Sequence, residues 1–242
     1  MKWYLDFGHG GKDPGAIGPT NLKESEPVLK IWMMVKETLE NAFEKVITTR
    51  ENDKYYSLDY ITTKANNENC DYFISIHLNS ATNSSAKGCE IWLYDENSKL
   101  KTLPNNLCTN LSSKLNTPRR GVKYSKKLSV LKSTTMPALL IEVEFISNRE
   151  VENNLRDNNH LKDIANTISF TLLGYLYENI THDEVFINGC SCSTSKDTIV
   201  GDINKVNFYR MCIGAFNNKA NSINLKNEAI SKGFKDTYII SN

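Results

Sequence analysis

Two histidines that each close a β-like run are the residues best placed to do chemistry in this sequence. His9 follows the run Lys2–Phe7 in the turn Gly8-His9-Gly10-Gly11, and His77 stands near the end of the run Asp71–Asn79 (DYFISIHLN). If both runs are strands of one parallel sheet, their C-terminal ends share the edge where ligand sites of such folds gather. Neutral imidazole is a common zinc ligand, and a catalytic zinc takes three protein ligands plus water. Glu24, at the start of a helical pattern just after the first loop, is the natural third ligand; Asp13 and Glu26 are weaker candidates. A lone histidine at a strand end is more often a satisfied polar residue, so the reading rests on the set.

Glu142 adds a fourth group. It interrupts the apolar run Ala138–Phe145 (ALLIEVEF), where a carboxylate is costly to bury unless it is paired or functional. Near zinc, a partly desolvated glutamate can act as general base toward water and then as acid toward a leaving amine. Strand alternation puts Glu144 on the same face as Glu142. A glutamate in a strand is usually an edge or surface residue. Spacing alone therefore leaves a zinc hydrolase and a non-catalytic arrangement both open. His160 and His182 have no comparable context and read as surface residues.

The elements that must position these groups alternate in type. After the first strand, Val28, Ile31, Trp32, Val35, Leu39 and Phe43 repeat at helical spacing from about Ser25, the pattern of a buried helix face. Lys45–Arg50 reads as a strand, Ser57–Asn69 as a helix with Ser57 as its N-cap, and Cys89–Tyr94 as a strand. Lys99–Leu115 reads as a helix, Ser129–Lys132 as a short strand, and His160–Tyr177 as a long amphipathic helix. Strands alternating with helices, several of them nearly continuous apolar runs, predict an α/β domain with a central, mostly parallel sheet flanked by helices. Composition changes near residue 178 to a polar, Ser/Thr/Gly-rich stretch. We expect a catalytic domain over 1–178 and a small C-terminal α+β domain over 179–242.

Length and charge narrow the functional classes. The chain has 242 residues with 29 basic against 28 acidic, a formal net charge of +1. That balance gives no case for nucleic-acid binding or for attraction to anionic membranes. No stretch reaches the roughly 18 apolar residues of a spanning helix. The N-terminus enters a strand directly, without the basic leader and apolar run of a secretory signal. The chain is thus expected to be made in the cytoplasm and to reach any external substrate only after release. In that reducing compartment Cys70, Cys89 and Cys108 read as free, buried thiols. Cys190 and Cys192 form a pair too small for a zinc ribbon.

The motifs around these residues resemble those of the zinc-dependent N-acetylmuramoyl-L-alanine amidases of the amidase-3 type, found in cell-wall hydrolases and phage endolysins. DFGHGGKDPGAIG is similar to that family's first metal motif and implies His9 as a ligand. LKESEPVL aligns with its glutamate motif at Glu24, and ISIHLNS with its second histidine motif at His77, with Asn79 beside it. MPALLIEVEFISN resembles the last motif and implies Glu142 as the catalytic residue. TRENDKYYSLDY and AKGCEIWLY follow the pattern too, so the resemblance runs in order over residues 1–177. It implies one catalytic Zn2+ and a peptidoglycan substrate. The bond implied is the amide joining N-acetylmuramic acid to L-alanine, and the outcome is cell-wall lysis as an endolysin or autolysin. Two positions depart from the family. Glu144 stands where it usually has glycine, and is expected to change the cleft's electrostatics or touch the substrate's cationic end. Ile61 stands where it often has arginine. Asn79 and Glu144 are therefore the candidate substrate contacts.

The segment FYRMCIGAFNNKANSINLKNEAISKGFKDTYIIS resembles one half of a SPOR domain, a peptidoglycan-binding βα module. A lone two-stranded unit is a weak independent fold. Either two chains pair their halves in a homodimer, or Val185–Val200 supplies the missing strands. The runner-up activity is a zinc peptidase cutting within the stem peptide. A non-catalytic wall-binding protein would need a lost ligand or base, and His9, Glu24, His77 and Glu142 are all present.

Overall fold

The computed structural model describes residues 1–179 apart from Lys101. The segment expected to bind the wall, its expected pairing into a dimer, His182, Cys190 and Cys192 lie outside the described residues. Six strands form one sheet: β1 (Lys2–Phe7), β2 (Lys45–Thr48), β3 (Tyr72–Asn79), β4 (Cys89–Leu93), β5 (Arg119–Tyr124) and β6 (Ala138–Phe145). Their order is β2-β1-β3-β6-β4-β5. Every neighbouring pair is parallel except β4 with β6, so the sheet is mixed but mostly parallel. The helices are α1 (Ser25–Asn41), α2 (Leu58–Asn67), α3 (Leu103–Leu115), α4 (Ser129–Lys132), α5 (Arg149–Asn154) and α6 (Asn158–Asn179).

Alternation along each strand divides the sheet into two faces. Trp3, Leu5 and Phe7 of β1, Ile74, Ile76 and Leu78 of β3, and Leu139, Ile141 and Val143 of β6 pack into one cluster with α1, α3 and α6. The stripe Val28, Ile31, Trp32, Val35 and Leu39 of α1 is fully buried there. Tyr4, Phe73 and Leu140 point the other way, into a smaller cluster with Ile61 and Ala65 of α2 and Val130 and Leu131 of α4. Ile61 is thus a core residue, 8% exposed. On that second face the apolar residues give way along the strands to Asp6, Ser75, His77, Glu142 and Glu90. The strand pairings place Asp6 beside Ser75, and His77 and Glu90 on either side of Glu142.

Some element expectations need correction. Ser129–Lys132 is a helical turn, not a strand, because its adjacent apolar pair Val130-Leu131 is buried in either conformation and its length carries no period. β5 went unread because RRGVKY shows no apolar alternation, which is normal for a charged edge strand. The short α5 also went unread, while Ser57 caps α2 as expected, its Oγ accepting the Tyr60 N–H at 3.2 Å. Cys70, Cys89 and Cys108 are free and buried. His160 is half-buried rather than on the surface, and burial lowers its pKa.

α5 does one specific job for the site. Its Glu152 is fully buried, and its carboxylate accepts the N–H groups of Thr20 at 2.8 Å and Leu22 at 3.0 Å. This pins the loop that leads into Glu24. Burial alone would raise the Glu152 pKa, but these N–H groups and Arg156 outweigh it and hold the carboxyl below its ordinary value. Glu152→Ala leaves the buried Leu22 N–H and the part-buried Thr20 N–H without their acceptor and should cost about 1–3 kcal/mol. A depressed folded pKa means this stabilisation is complete above the ordinary glutamate value of about 4.3 and fades as pH falls through the folded value. Thermal melts should therefore show a wild-type advantage at neutral pH that shrinks on acidification; equal melting temperatures at pH 7 would remove the role.

Candidate metal centre

The two histidines reach one place by different routes. β1 ends at Phe7 and the chain turns sharply, with His9 in the left-handed region at φ 63°. The turn is held to β3 by Gly8 N–H donating to the Ile76 carbonyl at 3.3 Å. His77 lies within β3, the neighbour of β1. The imidazole rings meet edge to face, 4.9 Å between centroids.

Glu24 joins them. Its Oε1 lies 2.9 Å from His77 Nδ1 and its Oε2 lies 3.3 Å from His9 Nε2. The same carboxylate accepts the Leu78 N–H through Oε1 and the Ala16 N–H through Oε2, each at 2.9 Å. It is 3% exposed at the N-terminus of α1. One ligand atom from each of His9, Glu24 and His77 falls within 4.8 Å of the others. The weaker candidates separate cleanly. Glu26 is exposed in the first turn of α1. Asp13 sits behind His9, its Oδ2 3.0 Å from Nδ1. Gly15 is required here: its φ is +69°, and a Cβ on it would stand 2.5 Å from His9 Cδ2 and 2.6 Å from Glu24 Oε2.

Glu142 is the Cα partner of His77 on the adjacent strand. Its Oε2 is buried and has no hydrogen-bond partner among the described residues. Burial pushes its pKa up to about 7; His77 pulls it down, while the charges of Glu24 and Glu90 push it up. Burial would likewise lower the His77 pKa, but the Glu24 contact outweighs it and carries it to about 9. Glu24 itself is held well below the carboxylate range: burial opposes this, and the two imidazoles prevail. The centre therefore combines two imidazoles, one strongly ionised carboxylate and one carboxylate whose pKa is raised toward neutrality.

Glu144 does not share the face of Glu142. The β3–β6 register shifts between His77 and Asn79, so that Phe145 rather than Glu144 stands opposite Asn79. One extra residue in β6 flips the alternation, as β-bulges do. Glu144 is 4% exposed, and its Oε2 accepts the Gly88 N–H at 2.8 Å. The carboxylate expected to touch a cationic substrate group instead fixes the loop before β4. Asn79 is half-buried at the end of β3, with its Oδ1 accepting the Ser80 N–H at 2.8 Å.

Further residues supporting the site were not anticipated. Arg50 is 3% exposed. It donates to the carbonyls of Phe7, Gly8 and Ser25, each at 3.1 Å, tying the His9 turn to the start of α1. Asp6 is buried beneath His77 and accepts the hydroxyls of Thr49 and Ser75, each at 2.7 Å. A carboxylate inside KWYLDF carries the same signal that marked Glu142. Arg50 was read only as the end of the strand Lys45–Arg50, because its carbonyl partners lie on segments distant in sequence.

Comparisons with known proteins identify the family. The Amidase_3 profile, described as N-acetylmuramoyl-L-alanine amidase, matches residues 4–172. The sporulation-specific N-acetylmuramoyl-L-alanine amidase of Bacillus subtilis is 30% identical over 243 residues, 99% of this chain and 85% of that protein. The endolysin of Bacillus phage SPP1 is 36% identical over 170 residues, 67% of this chain and 61% of that protein. Among solved structures, the N-acetylmuramoyl-L-alanine amidase from Clostridium difficile 630 superposes with a TM-score of 0.70 at 29% identity, over 74% of this chain and 97% of its own. The catalytic domain of CwlV from Bacillus (Paenibacillus) polymyxa var. colistinus gives 0.68 at 30% identity, over 73% and 98%. On its motifs, its sheet and these relatives, the chain belongs to the Amidase_3 family of N-acetylmuramoyl-L-alanine amidases.

Proposed function

We propose that this chain hydrolyses the amide between N-acetylmuramic acid and the L-alanine of peptidoglycan, using one zinc ion held by His9, Glu24 and His77, with Glu142 as the catalytic carboxylate. The observation that carries this reading is the convergence of three ligand atoms within 4.8 Å next to Glu142, whose buried Oε2 lacks a partner among the described residues. Two imidazoles and one carboxylate are a donor set suited to catalytic zinc. A zinc ion held by His9, Glu24 and His77 would lower the pKa of water and polarise the scissile carbonyl.

The chain's own residues do the rest. Asp13 takes the Nδ1 side of His9 and so fixes which nitrogen faces the ion, as outer carboxylates do for ligating histidines. The two N–H groups on Glu24 hold its carboxylate in place, and the two imidazoles keep it ionised. Glu142, with its pKa near 7, is poised to take a proton from the attacking water at neutral pH and return it to the leaving amine. Glu90, its Cα partner on β4, helps keep that proton affinity high.

Glu142→Gln keeps the shape but cannot accept the proton. It should retain zinc and fold while losing about 10²–10⁴-fold in wall hydrolysis, followed by turbidity clearance; undiminished clearance would sink the assignment. His77→Ala should lose metal and activity together, read by metal analysis of the purified protein. The bond is tested by mass spectrometry of digested peptidoglycan. Free stem peptides beginning with L-alanine are expected, whereas fragments cut inside the stem would identify a peptidase.

A further inference from the structure

We infer that Arg120 and Lys123, on the β5 side of Glu142, form a recognition site for a carboxylate of the stem peptide. This rests on the amidase reading above and adds the direction in which the substrate lies.

The inference begins with Glu90. It is 2% exposed and is the Cα partner of Glu142 across the β4–β6 pair. Arg120 Nε donates to its Oε1, and Lys123 Nζ lies 2.9 Å from the same oxygen. Two cations on one carboxylate leave an excess of one positive charge. Neutralising Glu90 would have needed only one of them. The Nη groups of Arg120 have no hydrogen-bond partner among the described residues. The two side chains remain 39% and 34% exposed.

Both cations are also aimed. The β4–β5 register shifts between Cys89 and Glu90, with Arg119 opposite Cys89 and Gly121 opposite Glu90. Arg120 is the extra residue of that bulge, and Gly121 adopts a φ of +88° to make it. Bulges beside active sites commonly re-aim a side chain. Here the guanidinium is carried over the ring of Phe145, 4.8 Å from its centroid, and Lys123 lies over Trp92 at 5.5 Å. Those rings belong to the site's face, since Phe145 stands opposite Asn79 and Trp92 opposite Leu140. The bulge in β6 is what brings Phe145 there.

The chemistry of the ligand follows from the surroundings. Glu90 is buried while Arg120 and Lys123 stay partly exposed, so their excess positive charge faces outward on the β5 side and attracts an anionic substrate group. A guanidinium with free Nη donors matches a carboxylate. Of the two parts joined by the scissile amide, the stem peptide is the one that carries carboxylates along its length. The peptide would then run over β4 and β5, with the glycan toward β1.

The test uses two soluble muramyl peptides that differ only at the residue after L-alanine, one with a free carboxylate and one with a carboxamide. The wild-type full chain should favour the acid. Arg120→Gln and Lys123→Gln should each raise KM for the acid about tenfold with little change in kcat, leave the amide unaffected, and be partly rescued by Arg120→Lys. The acid-to-amide ratio of kcat/KM, taken on one preparation, cancels any loss of folded enzyme. A wild type that turns over both compounds with equal KM, or variants that slow both equally, would overturn this inference alone. Failure to cleave either compound would instead overturn the amidase reading, and this inference with it.

Discussion

The centre depends on one buried carboxylate. Glu24 faces His9 and His77 and accepts two backbone N–H groups. A carboxylate this buried is tolerated only when its lone pairs are all engaged. Meeting that condition fixes much else. The first loop must bring Ala16 to it, and α1 must start beside β3. Gly15 must pass close enough that no side chain fits. Arg50 and Glu152 serve the same end from outside, by tying down the His9 turn and the Thr20–Leu22 loop. The parallel β1–β3 pairing sets the strands of the two histidines side by side, and the held turn after β1 brings His9 the rest of the way.

The rest of that face is organised by charge. Moving across the sheet from β1 to β5, the residues pass from acidic and imidazole groups to a single partnered carboxylate and then to cations. Glu142 stands at the change. Its environment is dry enough to hold a proton near neutral pH, yet it lies between His77 on one strand and Glu90 on the other. Groups with such divided surroundings are where proton-transfer roles are found.

Much of this was legible in the residues. β1, β3 and β6 were readable because buried parallel strands are nearly continuous apolar runs. A charge inside such a run stands out, as Glu142 does. His9, His77 and Glu24 came from strand-end logic and from motifs in register. What was not legible arises from irregularity. Strict alternation put Glu144 beside Glu142, and a single inserted residue turned it to Gly88. The same kind of insertion raised Arg120 out of a strand that itself had no apolar pattern to reveal it. Arg50 was silent because its partners are backbone carbonyls from three separate segments, which no local pattern encodes.

The charges on β5 have one more consequence. Among the described residues, the sheet is open at β2 and β5, and an open edge offers unpaired N–H and C=O groups to any extended chain. β2 is only four residues long and begins with Lys45. β5 carries Arg119, Arg120 and Lys123 and is kinked at Gly121. A strand approaching that border would meet a broken hydrogen-bond ladder and a row of cations. The insertion that lifts Arg120 thus also guards the fold against edge-to-edge association, so straightening β5 by engineering would invite self-assembly of the sheet.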